Sequence, residues 1–197
     1  MPLNRDQITA LVLAAGSSRR LGQPKQLLEF RGATLLDATI DNVLGFGFAQ
    51  TVVTMGGAAP EVREQVDLSK VELVDSVHHT DGCSSSIVSA LSAVDSDAAG
   101  FFLFLGDQPD VSQAAVDALA EAAADTEIAV VDYRNGTGHP FWFARSVFPA
   151  LGDLHGDKAV WKLLESGRFT AAHVAVDEDV PLDVDTWEDY ERLLARG

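Results

Sequence analysis

The chain has 197 residues, a length that suits one sizeable domain, and its 14 basic against 30 acidic residues leave a formal charge of −16. A surface that acidic repels nucleic acid and anionic membrane, so neither is an expected partner. Apolar residues make up 47 % of the sequence, yet no run approaches the ~20 residues of a membrane helix.

Charged residues interrupt the only apolar approach at the start, residues 1–16, which leaves no signal-peptide core and makes the cytoplasm the expected location. Short β-branched or aromatic runs then alternate with longer amphipathic stretches, the pattern of an α/β fold with helices on both faces of a mostly parallel sheet. Ile8 to Leu13 is the first predicted strand. It runs into the small, polar and basic stretch Ala14-Ala15-Gly16-Ser17-Ser18-Arg19-Arg20-Leu21-Gly22 and a long loop. Thr34 and Asp37 form a capping-box pattern for a helix reaching Leu44, which Gly45-Phe46-Gly47 can end. Thr51 to Met55 and Val71 to Val74 are predicted strands, with helices at Ala59 to Val66 and Ser85 to Val94. Phe101 to Leu105 is apolar at every position and is expected to be central, covered on both faces. Ser112 to Ala124 reads as a helix, and Glu127 to Val131 and Gly138 to Phe143 as strands. The last third is less regular. It offers a helix at Lys158 to Glu165, a strand at Ala171 to Val176 and a helix at Trp187 to Leu194 capped by Thr186 and Asp189. No repeat or linker divides the sequence, so residues 1–197 are expected to form one domain.

A glycine-bearing turn after a strand presents consecutive backbone N–H groups in a concavity that suits a phosphate chain. Residues 14–22 have that form, and four of the 14 basic residues, Arg19, Arg20, Lys25 and Arg31, fall within 13 positions. An anionic ligand is the chemical reading, and a mobile loop with solvated arginines the plain one. This is not a P-loop, because Gln23-Pro24 separates Gly22 from Lys25 and no Ser or Thr follows; the G-x-G-x-x-G fingerprint is also absent.

The run Ala14 to Gly22, with Pro24-Lys25, resembles the A-A-G-x-S-x-R-M-G…P-K signature of nucleotidyltransferases with a single Rossmann-like catalytic domain. It is most similar to the MobA-like molybdenum cofactor cytidylyltransferases and guanylyltransferases, with Leu21 where methionine is usual. The resemblance implies that Leu13, Ala14, Ala15, Gly16, Ser17, Ser18, Arg19 and Arg20 wrap the triphosphate. Arg20 and Lys25 are the matched cations, and Arg19 falls at a variable position.

Asp107 follows the apolar strand in Leu105-Gly106-Asp107-Gln108-Pro109. Ligands of open α/β sheets bind at such strand ends, so its carboxylate can meet a metal on a bound phosphate; capping the helix near Ser112 is the alternative. The G-D-Q-P sequence resembles the family's metal-binding strand end. Mg²⁺ takes one or two protein carboxylates with phosphate oxygens and water, so a second carboxylate is sought. Residues 177–191 contain eight acidic side chains, most of them necessarily solvated. Asp183-Val184-Asp185 differs, because alternation puts both carboxylates on one face just before the capped helix. Leu182 to Tyr190 resembles the family's D-I-D-T-P-E-D-Y ending, with Trp187 in place of proline. Asp185 is the expected second ligand, with Asp183 and a purely helix-initiating role left open.

Asp81-Gly82-Cys83-Ser84-Ser85-Ser86 precedes a helix, where its hydroxyl and N–H groups suit a base, ribose or phosphate as well as an N-cap. It resembles the family's G-x-x-x-S loop, which gives Gly82, Ser84 and Ser86 to the nucleotide. Gly138-His139-Pro140 resembles the G-H-P segment of the acceptor side, which makes His139 and Pro140 substrate contacts, although a lone histidine is more often structural. His78-His79 with Cys83, the single cysteine, lacks a fourth soft-metal ligand at a recognisable spacing. Gly156-Asp157-Lys158 resembles the start of G-D-K-G-A-R and gives Lys158 to the substrate, but Ala159 and Trp161 stand where glycine and arginine are usual. An anionic acceptor then lacks one phosphate partner, for which a stacking tryptophan is the available compensation.

The resemblance implies Mg²⁺-dependent nucleotidyl transfer: a terminal phosphate of the acceptor attacks the α-phosphorus of an NTP in line, and pyrophosphate leaves. Metal, Lys25, Arg20 and loop N–H groups would neutralise the charge, with Asp107 on the metal and no protein nucleophile. The expected pair is CTP and a molybdenum-bound pterin, serving a molybdoenzyme or its chaperone. GTP with the same cofactor, or another phosphorylated acceptor, is the alternative. A non-catalytic nucleotide-binding or cofactor-chaperone module is the rival of a different class, against which stands the joint presence of Lys25, Asp107 and Asp185.

Overall fold

In chain order the strands of the computed structural model are β1 (Ile8–Ala14), β2 (Glu29–Phe30), β3 (Ala33–Thr34), β4 (Gln50–Met55), β5 (Glu72–Asp75), β6 (Gly100–Leu105), β7 (Ile128–Tyr133), β8 (Gly136–Ala144) and β9 (Ala171–Ala175). The helices are α1 (Leu35–Gly45), α2 (Ala59–Gln65), α3 (Cys83–Ala90), α4 (Gln113–Ala123), α5 (Phe148–Gly152), α6 (Ala159–Glu165) and α7 (Trp187–Leu194). The structure describes residues 3–16, 18–56, 58–76, 83–153, 156 and 159–196. Among these, no helix is long and apolar enough to cross a membrane.

The main sheet has seven strands in the order β5-β4-β1-β6-β8-β7-β9. β1 pairs in parallel with β4 and β6, and all three strands are almost wholly buried. The expected α/β architecture is therefore present, with β6 at the centre. Successive side chains along these strands serve opposite faces, as a pleat requires. Ala10, Val12, Phe102 and Phe104 join α1, α2 and α4 in one core, whereas Leu11, Phe101 and Leu103 join α3, α5 and α6 in the other.

β8 alone runs against its neighbours. Only residues 134–135 separate it from β7, and so short a link permits only an antiparallel return. The strand therefore enters the sheet at the edge where β1, β4 and β6 leave it.

The stretch read as a long loop is more ordered than expected, because β2 and β3 form a hairpin. Its turn residues Arg31 and Gly32 both have positive φ, 51° and 83°, the conformation a two-residue hairpin requires. α5 also went unread, and α3 begins at Cys83 and ends at Ala90, earlier than expected at both ends. A third, small core of Leu21, Leu28, Phe30, Leu35, Val184 and Leu193 joins the glycine loop, the hairpin, the start of α1 and the last segment of the chain.

Candidate active site

The site forms where β1, β4 and β6 end, and the approach of their backbones comes first. Gly106 donates its N–H to Leu13 O at 2.9 Å. A Cβ on Gly106 would stand 3.0 Å from that oxygen, and one on Gly56 would stand 2.3 Å from Ala15 O. Glycine at both positions lets the chain after β4 and β6 close on Leu13, Ala14 and Ala15, whose loop then turns outward at exposed Gly16.

Buried Gln26 fixes that turn by donating Nε2 to Ala14 O at 2.6 Å and Gly16 O at 3.2 Å. Ser18, at φ 47°, accepts the Lys25 backbone N–H on its hydroxyl at 2.9 Å. Leu21 anchors the far side in the third core. Gly16, Ser18, Arg19, Arg20, Lys25 and Asp185 consequently line a cleft of about 260 Å³. Arg31 does not share it: its guanidinium pairs with Asp110 at 3.0 Å and lies over the Phe30 ring, in a separate cleft. The basic cluster seen in the sequence is thus split.

Lys25 Nζ donates to Asp107 Oδ2 at 2.6 Å and to Asp185 Oδ1 at 3.1 Å. Burial alone would push this ammonium down, but the two carboxylates outweigh it and hold its pKa above the ordinary lysine value. Arg20 Nη2 reaches the other Asp185 oxygen at 2.8 Å. Asp107 does not cap α4; Ser112 does so, accepting from Ala115 N at 3.1 Å. Nor does Asp185 cap α7, where Thr186 and Asp189 form a reciprocal capping box.

The last segment is held by Val184, fully buried in the third core, whose N–H donates to Asp107 Oδ2 at 3.0 Å. Tyr190 adds a bond from its hydroxyl to Glu29 O at 2.6 Å. With Val184 turned inward, Asp183 and Asp185 turn outward. Asp183 accepts from the amide of Gln108, which also donates to Pro181 O. Although the residue is exposed as a whole, desolvation of its carboxyl against Gln108, then the neighbouring Asp107 charge, pushes Asp183 up to about 6.

On the acceptor side, the half-buried His139 ring stacks on Phe141 at 4.2 Å, and its carbonyl accepts from the Tyr133 hydroxyl at 2.7 Å. Burial pushes the His139 imidazole down to about 4, so it is neutral at pH 7. Pro140 is buried beside it. Ser84 and Ser86 are also buried, and the Ser86 hydroxyl donates to Ser76 at 3.1 Å, inside the fold. That arrangement gives no support to a nucleotide contact at Ser86. Ser17, His78, His79, Asp81, Gly82, Asp157 and Lys158 lie outside the described residues. Sequence reasoning missed Gln26 and Gln108; their only signal was adjacency to Lys25 and Asp107.

Among the described residues, no group of three or more His, Cys, Asp or Glu is arranged to hold a metal. The charged centre is instead a carboxylate pair, Asp107 and Asp185, sharing one ammonium. Hard, anionic oxygens from two segments, one of them lining the cleft of the glycine loop, suit a divalent cation that arrives with phosphate.

The family model for the MobA-like NTP transferase domain matches residues 10–174. The chain is 27 % identical to the purine catabolism protein PucB of Bacillus subtilis, over 94 % of this chain and 95 % of that protein. It is 28 % identical to nicotine blue oxidoreductase of Paenarthrobacter nicotinovorans, over 95 % and 96 %. To the molybdenum cofactor cytidylyltransferase of Escherichia coli it is 25 % identical, over 93 % of each. The crystal structure of a homologue of Mycobacterium tuberculosis Rv0371c, from Mycobacterium sp. strain JC1, superimposes with a TM-score of 0.91 at 51 % identity, over 98 % of both chains. A complex of Rv0371C itself with manganese gives 0.87 at 48 % identity, over 97 % of this chain and 100 % of that one.

Proposed function

This chain belongs to the MobA-like NTP transferase family and is a nucleotidyltransferase, and we propose that it moves CMP from CTP to the terminal phosphate of a molybdenum-bound pterin, releasing pyrophosphate. The observation that carries the proposal is the Lys25 ammonium held between Asp107 and Asp185 at the mouth of the glycine loop. A module that only bound nucleotide would need the loop and the cations, not a carboxylate pair drawn from two distant segments.

Lys25, Arg20 and the N–H groups of residues 14–20 would bind the triphosphate and align its α-phosphorus with the incoming phosphate. Alignment of two anions and neutralisation of their charge are the whole catalytic task, since the acceptor supplies the nucleophile. Mg²⁺ fits the donor set: Asp107 and Asp185 would hold it, phosphate oxygens and water would complete it, and it would offset charge on the α-phosphate. Gln26 keeps two loop carbonyls occupied, so the loop offers donors to the ligand. Resemblance to a cytidylyltransferase across 93 % of both chains supports CTP. His139 and Pro140, on β8, are the proposed acceptor contacts. The product would pass to a molybdoenzyme or its chaperone.

The test is pyrophosphate release with Mg²⁺, each of the four NTPs and purified molybdenum-bound pterin. CTP is expected to exceed GTP by at least ~10-fold in kcat/KM, the scale of one hydrogen-bond difference. The reverse order would make the protein a guanylyltransferase, and no release with any pair would remove this acceptor.

A further inference from the structure

Gln108 is 2 % exposed and stands directly after Asp107, yet its side chain serves a segment 73 positions further along the chain. Its Nε2 donates one hydrogen to Pro181 O at 3.2 Å and the other to the Asp183 carboxylate. Turning the amide over would set Oε1 against those two acceptors, so the group can face only one way. In that orientation Oε1 is buried with no hydrogen-bond partner among the described residues. A buried acceptor left unmatched is costly, and what the orientation secures is the pair of bonds from the nitrogen.

The turn that carries Gln108 is itself fixed on both sides. Before it, Gly106 is bonded to Leu13 O of β1; after it, Asn42 of α1 donates to Pro109 O at 2.9 Å and to Val111 O at 2.8 Å. The amide therefore grips residues 181–183 from a rigid base. Upstream, the same segment is tied to the β7–β8 turn, where Arg134 N–H donates to Glu178 O and Val180 N–H to Asn135 Oδ1, each at 2.8 Å. Asp183 and Asp185 flank inward-turned Val184, two carboxylates on one strap beside one charged centre. Gln108 occupies the first, and the second is left to Lys25 and Arg20.

We propose that Gln108 is the positioning residue that decides between these two aspartates: by holding Asp183 against the turn after β6, it leaves Asp185 as the carboxylate that joins Asp107 on the divalent cation of a triphosphate. This rests on the nucleotidyl-transfer reading for the cation, whereas the choice between the carboxylates follows from the chain's own bonds. Gln108 does not line the cleft of the glycine loop and acts through the strap alone. Partners of this kind, one step removed from the ion, orient its ligands and are felt in metal affinity.

The probe is Mn²⁺ with inorganic triphosphate, the part common to every NTP, read by water-proton relaxation as protein is added. Triphosphate binding without metal is measured calorimetrically on the same preparations. Gln108→Leu is expected to weaken Mn²⁺ ~10-fold or more, the scale of losing a group that orients a metal ligand, and to leave metal-free triphosphate affinity within ~2-fold. Asp183→Asn keeps an oxygen for the Gln108 amide and should cost less than ~3-fold, whereas Asp185→Asn should cost ~10-fold or more. Equal Mn²⁺ affinity in wild type and Gln108→Leu, parallel loss of metal and metal-free binding, or a greater loss at Asp183 than at Asp185 overturns the assignment. A wild type that takes up no Mn²⁺ with triphosphate overturns it too. Should Gln108→Leu fail to fold, the order of the two aspartates decides alone. Mn²⁺ binding that follows the expected order, with no pyrophosphate release from any NTP, supports the positioning role and removes the transfer reading.

Discussion

Asp107 Oδ2 accepts the backbone N–H of Val184 at 3.0 Å, across 77 positions of sequence, while the same oxygen holds the Lys25 ammonium. One carboxylate therefore has two duties, charge balance and tethering of the segment that bears Asp185. Asp107→Asn retains an oxygen for Val184 and loses the charge. Turnover is expected to fall ~10²-fold or more, and the Mg²⁺ response to disappear from the pyrophosphate-release assay. Stability should drop by about 1–3 kcal/mol in urea unfolding, since Lys25 keeps Asp185 as a partner. A variant that responds to Mg²⁺ as wild type does would reduce Asp107 to its tethering duty.

Lys25→Met keeps the length and apolar stem of the side chain and removes its ammonium. Loss of one preorganised charge predicts a fall in kcat of ~10²-fold or more with the fold retained by circular dichroism. Near wild-type turnover by the folded variant would exclude Lys25 from the mechanism.

Gly56→Ala places a methyl where Ala15 O stands 2.3 Å away, and the opposing atoms are backbone that cannot rotate aside. The expected cost is ~1–3 kcal/mol from overpacking. Because the displaced atoms begin the glycine loop, the KM for nucleotide should rise more than the KM for acceptor. Equal changes in both would place the damage elsewhere.

Val184→Ala hollows the third core without touching a charge. A loss of roughly 1–3 kcal/mol is expected for a buried valine, and the looser segment should raise the Mg²⁺ concentration needed for half-maximal rate. An unchanged metal requirement would show that Asp185 is positioned by Lys25 and Arg20 alone.

His139 gives the pH dependence. Its folded pKa, about 4, lies below the ordinary value of 6.5, so the unfolded chain binds the proton more readily. Stability from this group is complete above pH 6.5 and is lost as pH falls towards 4, by about 1–3 kcal/mol. His139→Gln should remove that slope. The comparison is urea unfolding of both proteins between pH 7 and pH 4.5; parallel curves would mean that His139 titrates normally.

Helix starts at Thr34, Ser112 and Thr186 were legible because a capping side chain acts within one turn of its own position. β6 was legible because burial on both faces leaves no polar residue in it. The β2–β3 hairpin was not, since two-residue strands show no period and Arg31 is an unusual residue for positive φ. Pro149 masked α5 by reading as a breaker, although at the first turn of a helix it breaks nothing. The reversal of β8 depended on a two-residue link that the expected strand ends placed too far apart. In the site, Lys25 and Asp107 stood in recognisable motifs, whereas Gln26 and Gln108 act through backbone carbonyls and a carboxylate that only the folded chain brings to them.

The third core also sets an order of events during synthesis. The adjacent parallel strands β4, β1 and β6 are all translated by residue 105, whereas Val184 and Asp185 follow some 80 residues later. A growing chain can pair these three strands while Asp107 and Lys25 have only each other, because the chain is delivered from its N-terminal side. Closure of the segment from residue 181 onward is then a late docking event between finished pieces. Nascent chains halted before it should already resist protease in the sheet while lacking the second carboxylate.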